Sequence, residues 1–70
     1  MTYRCYSVHG LTLLASESLD DCFYQGDGWT ITDAAGKELY ERRSFDYRDN
    51  RWYPIGSDKW VWPRCPPTKQ

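Results

Sequence analysis

Residues 28–43, GWTITDAAGKELYERR, decide the fold, because pattern, propensity and turn chemistry there agree on one structure. Trp29, Thr30, Ile31 and Thr32 are types that fit a pleated, half-buried surface. Asp33, Ala34, Ala35, Gly36 and Lys37 have the make-up of a type I turn closed by a glycine in the left-handed region. The stretch reads as a β-hairpin with Ala34, Ala35 and Gly36 in its loop. That loop sets Ile31 opposite Leu39 and Thr30 opposite Tyr40, and it puts Trp29, Ile31 and Leu39 on one face as the nucleus of a core.

Upstream, Tyr3, Cys5 and Ser7 alternate with Arg4, Tyr6 and Val8, and a second apolar run covers residues 11–15, with His9 and Gly10 between. This predicts a tight first hairpin. A two-residue loop pairs Val8 with Leu11 and Tyr6 with Leu13, placing these four on one face, while Cys5 and Leu14 share the other. A cover for that second face follows. Ser18 is placed as an N-cap, and Asp20 and Asp21 suit the positive end of a helix. Leu19, Cys22 and Phe23 recur at i, i+3 and i+4, and Gly26 offers a stop. The segment predicts a helix of about two turns, too short to persist without tertiary packing.

Downstream, Phe45 and Tyr47 alternate within residues 44–48, Asp49 and Asn50 form a turn candidate, and Arg51, Trp52 and Tyr53 begin another strand that Pro54 interrupts. After a turn at residues 55–58, residues 59–62 read as a short strand with Trp60 and Trp62 on one side. Pro63, Pro66 and Pro67 then impose an extended tail. The organisation is one domain over residues 1–62 and a proline-rich tail over 63–70.

Seventy residues lie near the lower limit at which an unstapled core outweighs chain entropy. Aromatic residues make up 17% of the chain, so a few large side chains supply most of the burial and some remain exposed. The net charge of −1 argues against a general polyanion binder. It is unevenly spread. Residues 1–35 carry one arginine against five acids, a net −4, and residues 36–70 carry eight lysines and arginines against five acids, a net +3. No apolar run of signal-peptide or membrane-spanning type occurs, and Cys5, Cys22 and Cys65 are an odd number without the dense spacing of disulfide scaffolds. A cytoplasmic protein with reduced, buried thiols is expected.

No pattern names a reaction. His9, the only histidine, reads as a turn residue with neither nucleophile nor base placed beside it. Cys5, His9, Cys22 and Cys65 lack the close ligand pairs of structural zinc sites. The expectation is therefore a non-enzyme with no metal and no cofactor. Arg42, Arg43, Arg48, Arg51, Lys59 and Arg64 interleave with Phe45, Tyr47, Trp52, Tyr53, Trp60 and Trp62. Trp, Tyr and Arg are the types that dominate protein interfaces. Arg48, Arg51, Trp52, Tyr53, Lys59, Trp60 and Trp62 are the expected partner-binding residues, and Asp20 and Asp21 an acidic patch for a basic groove. The same basic and aromatic types also stack single-stranded bases and hold phosphates, which makes nucleic acid the second candidate partner. Pro63, Arg64, Cys65 and Pro66 fit the PxxP spacing of SH3 ligands.

The predicted fold is α+β: a small twisted antiparallel sheet of four to five short strands with one short helix on one face, in the order β-β-α-β-β-β. The expected core is Leu13, Leu14, Leu19, Cys22, Phe23, Trp29, Ile31, Leu39 and one or two late tryptophans. The expected function is a protein-binding module, an inhibitor or adaptor that occludes a surface on a larger partner, with a structural or assembly component as the third alternative. An open sheet edge also offers a route to a dimer. In size and in lacking a catalytic group, the chain is comparable to the small inhibitor proteins of bacteriophages and mobile elements, including those that block CRISPR effectors; no shared motif is involved.

Overall fold

A computed structural model describes residues 1–46 and 48–62 of the chain. Five strands, β1 (Tyr3–Ser7), β2 (Thr12–Ser16), β3 (Gly28–Thr32), β4 (Glu38–Glu41) and β5 (Tyr53–Pro54), form one antiparallel sheet in the order β2-β1-β3-β4-β5. The one helix among the described residues, α1 (Leu19–Phe23), links β2 to β3. This is the predicted α+β order. The proline-rich tail, with its PxxP pattern, Arg64 and Cys65, lies outside the described residues, as does Tyr47.

Both hairpins turn in the same way. Gly10 N–H donates to the Ser7 carbonyl at 2.9 Å, and Gly36 N–H to that of Asp33 at 3.0 Å. Each turn is closed by a bond from the next step of the ladder, Ser7 N–H to Leu11 at 2.8 Å and Asp33 N–H to Lys37 at 3.0 Å. Gly10 and Gly36 have φ of +84° and +89°, a region that glycine enters without steric penalty. The side chain opening each turn accepts two more amide bonds. Ser7 Oγ takes those of His9 and Leu11, and Asp33 Oδ1 those of Ala35 and Lys37. The loop expected at Ala34, Ala35 and Gly36 is present. The first loop, however, has three residues, Val8, His9 and Gly10, rather than two, so Ser7 and not Val8 faces Leu11.

Three β-bulges then set which side chains face the core, restoring the expected Cys5–Leu14 pairing in the first hairpin and revising the pairing in the second. In the first hairpin Tyr6 pairs with Thr12 and Cys5 with Leu14, which leaves Leu13 as the extra residue. In the second, Thr32 pairs with Glu38 as the loop dictates, but Ile31 pairs with Tyr40 and Thr30 with Glu41, which leaves out Leu39. Between β1 and β3, Tyr6 pairs with Thr30 and Ser7 with Gly28, which leaves out Trp29. An inserted residue shifts the two-residue alternation by one and exchanges the faces beyond it. Leu13, Leu39 and Trp29 are accordingly absent from the buried cluster, while Leu14 and Tyr40 pack against it.

Gly28 takes the inward place that Trp29 vacates. A Cβ there would lie 2.5 Å from Cys5 Sγ and 3.0 Å from Trp52 Cζ2, so only glycine lets the indole come this close. The core is Cys5, Cys22, Phe23, Ile31 and Trp52. Tyr3, Leu14, Leu19, Tyr40 and Trp62 pack around it. Phe23 is the hub, edge-on to Tyr40 at 5.2 Å between centroids and near-parallel to Trp62 at 5.9 Å.

The helix is five residues long, shorter than expected. Ser18 occupies the N-cap position without a side-chain cap bond; Ser16 Oγ instead accepts the Ser18 amide at 3.0 Å and donates to Asp21 at 3.2 Å. The helix ends at Tyr24 in a right-handed conformation, and Gly26, with no positive φ, is not its stop. Late in the chain, Trp52 and Trp62 form an isolated antiparallel bridge, sealed by the Trp52 N–H donating to Trp62 at 2.8 Å and the Val61 N–H to Trp52 at 2.9 Å. Residues 59–61 do not form the short strand expected there, and Trp62 takes part only in the bridge.

Candidate functional site

The expected aromatic and basic surface is divided by the fold. Trp52 is 0% exposed and belongs to the core, so its side chain offers no surface on the free chain. Trp62 is half-buried against Phe23, and Tyr53 lies half-buried under the Arg43 guanidinium, 4.3 Å from its ring centroid. Trp60 is exposed beneath Arg51, at 5.3 Å. Several cations meet carboxylates of their own chain. Arg51 forks onto Asp49 with two bonds of 2.8 Å, Arg48 pairs with Asp46 at 3.5 Å, and Arg43 reaches Glu41 at 3.2 Å and Asp58 at 3.6 Å. Lys59 is exposed. Asp20 and Asp21 stand exposed in the first turn of α1. Of the expected set, Arg51 and Trp60 are brought together, and Trp52 pairs with Trp62 through a backbone bridge.

A second surface lies on the other side of the sheet, where the bulge turns Trp29. Phe45, 80% exposed, stacks on Trp29 with centroids 4.6 Å apart and planes 15° apart. Trp29 and Val8 line two adjoining hollows of about 180 and 350 Å³; Phe45 lies on the rim of the first and Tyr6 on that of the second. Leu11 is also exposed, in the turn that follows Val8. Sequence reasoning placed Trp29 in the core. The signal that would have moved it is Gly28, since a glycine at the mouth of a β-run marks a bulge or a close backbone approach.

Between these surfaces sits Arg42, only 6% exposed. Its guanidinium lies 4.7 Å from the Trp52 ring centroid and donates to two backbone carbonyls, Gln25 at 3.1 Å and Asp49 at 3.4 Å. Nε is buried and has no acceptor among the described residues. Burial pulls its pKa below the ordinary arginine range, opposed by the nearby Cys5, Asp49 and Asp27. Charge alternation along the sequence does not distinguish this arginine from Arg43 beside it; the difference is that Arg42 follows β4 on the inward side.

The Cys5 and Cys22 thiols are free and fully buried. Burial, reinforced by Cys22, pushes Cys5 up to about 12, and burial together with Asp21 raises Cys22. His9 is exposed in the first turn. Among the described residues no three His, Cys, Asp or Glu side chains converge as metal ligands, and no helix is long and apolar enough to cross a membrane. Compared with protein-family models, with curated proteins and with solved structures, the chain matches none.

Proposed function

We propose that this chain is a small non-enzymatic protein-binding module that acts as an inhibitor or adaptor by covering a surface on a larger protein. Phe45 carries the reading. A phenylalanine four-fifths exposed, stacked on Trp29 and bordered by exposed Val8, is an anchor of the kind that fills a pocket on a partner. The site therefore moves from the late tryptophans to the sheet face around Trp29 and Phe45. Pairing of Arg43, Arg48 and Arg51 with acids of the same chain weakens the competing reading, single-stranded nucleic acid, because such binding draws on unneutralised cations along a groove.

The test is affinity capture by the tagged chain from native lysate, in nuclease-treated and untreated halves, alongside Phe45→Ala. Equal retention of a protein in both halves, lost with Phe45→Ala while the thermal midpoint stays unchanged, supports the module. Loss of everything on nuclease treatment, or a variant that captures as well as the parent, overturns it.

A further inference from the structure

The cavity on the helix side of Arg42 has a chemical character that the Phe45 surface lacks. It measures about 310 Å³ and is lined by Phe23, Tyr24, Trp62, Gly26, Asn50 and Arg42. Three walls are aromatic, and Tyr24 stands edge-on to Trp62 at 5.1 Å. Arg42 is the only charged residue in the lining among the described residues, and Asn50 adds an exposed amide. The smaller hollow on the opposite side of Arg42 is different, since Asp27 and Asp46 line it and would repel an anion.

Arg42 is also incompletely satisfied. A guanidinium has five N–H donors in a planar fork. Here two of them meet neutral carbonyls, one at the long distance of 3.4 Å, Nε meets nothing, and no carboxylate pairs with the cation among the described residues. Asp49 and Asp27 act on this cation only at a distance; burying it with no carboxylate in contact is unfavourable, and an anion arriving on it reduces that penalty. Carboxylate is the anion whose flat shape matches the fork, and the aromatic walls suit an apolar body attached to it.

We infer that the cavity between Arg42, Phe23, Tyr24 and Trp62 receives a carboxylate borne on an aromatic or apolar group. Its volume lies at the small end of ligand pockets, enough for one such group and not for a nucleotide or a larger cofactor. The carboxylate belongs either to a free small acid or to an acidic side chain or chain terminus of a bound protein; the second source rests on the protein-binding reading above.

The experiment follows the Arg42 Nε–H and the Trp62 indole N–H of the full ¹⁵N-labelled chain by NMR during titration with phenylacetate, phenylacetamide and inorganic phosphate. Saturable shifts of both resonances with phenylacetate, at least tenfold weaker with the other two, are expected. Equal shifts from phenylacetamide would mean that the site reads the ring alone, equal shifts from phosphate that it reads charge alone, and no saturable shift that it is no site; each overturns the inference. Arg42 also supports the fold, so the variant used is Asn50→Asp, which adds a repelling carboxylate at an exposed position of the lining and is expected to weaken phenylacetate at least tenfold. Unchanged affinity overturns the assignment to this cavity. The same variant in the capture experiment separates the sources. Partner retention by Asn50→Asp, with phenylacetate still bound by the parent, identifies a free acid. Partner loss identifies a carboxylate carried by the partner. If Phe45→Ala captures normally while phenylacetate binds as described, the protein-binding reading fails and this inference stands.

Discussion

The indole of Trp52 donates from Nε1 to the carbonyl oxygen of Phe23 at 3.1 Å, a buried bond that spans 29 residues. It ties the late, irregular part of the chain to the end of the helix. Trp52 is fully buried and has Phe23 at 6.0 Å between centroids and the Arg42 guanidinium 4.7 Å from its ring centroid. Trp52→Phe keeps most of the apolar surface but leaves that carbonyl without its donor, which costs about 1–3 kcal/mol. In a domain of this size about 1 kcal/mol moves Tm by about 4–8 °C. Trp52→Ala removes roughly 3–5 kcal/mol, a large share of the total stability of a small domain. Far-UV circular dichroism melts read both. A Trp52→Phe midpoint equal to the parent's would show that the bond contributes nothing.

Gly28→Ala tests the bulge from the opposite wall. The added methyl meets Cys5 Sγ at 2.5 Å and the Gln25 carbonyl oxygen at 3.1 Å. The first can be removed and the second cannot. The expected loss is about 1–3 kcal/mol by urea unfolding. In a Cys5→Ala background the Gly28→Ala penalty falls without vanishing. Equal penalties in both backgrounds would mean that the strain lies elsewhere than at the sulfur.

The two hairpins were legible because their turns are local. Asp33 and Gly36 state one of them outright, and Ser7 and Gly10 repeat the same chemistry one hairpin earlier. Bulges are not local. Whether Leu13 or Leu14, Leu39 or Tyr40, faces inward depends on what must be packed opposite, and that partner is Trp52, supplied from far along the chain. The same dependence hid the sites. Trp52 and Trp60 are the same residue type eight positions apart, yet one is core and the other exposed. Arg42 and Arg43 are adjacent, yet one is buried with no carboxylate in contact among the described residues and the other lies among three polar partners on the surface.

The Cys5 and Cys22 thiols should be silent in the folded protein. With Cys5 pushed up to about 12 and Cys22 raised, both by burial first, neither offers thiolate at pH 8. In a Cys65→Ser chain, Ellman's reagent should react slowly under native conditions and with two equivalents in urea. An acid whose pKa is higher folded than unfolded favours the native state only while it stays protonated in both. Stability should therefore fall as pH rises from about 8.5, where the unfolded thiols ionise, towards 12. Cys5→Ala should flatten that slope, and an unchanged slope would assign it to other groups.

Asp49 sets the acid side. The Arg51 guanidinium, forked onto it by two 2.8 Å bonds, holds its carboxyl down at about 2, with the Arg51 amide adding a longer bond. Here the sign is reversed. A carboxyl whose pKa is lower folded than unfolded stabilises the native state when ionised, so its contribution is present above about pH 4 and disappears as pH falls towards 2. The pair is largely exposed, so its effect at neutral pH is small. Its reach is longer than its energy, because Arg51 also covers Trp60 and the Asp49 carbonyl receives Arg42. Asp49→Asn should melt slightly below the parent at pH 7 and converge with it near pH 2. If the two differ by the same amount at both pH values, the ion pair is not what lowers the carboxyl. A loss of the Arg51-to-Trp60 contact in the variant, seen as a shifted Trp60 indole resonance at pH 7 that the parent shows only in acid, would tie the titration to that surface.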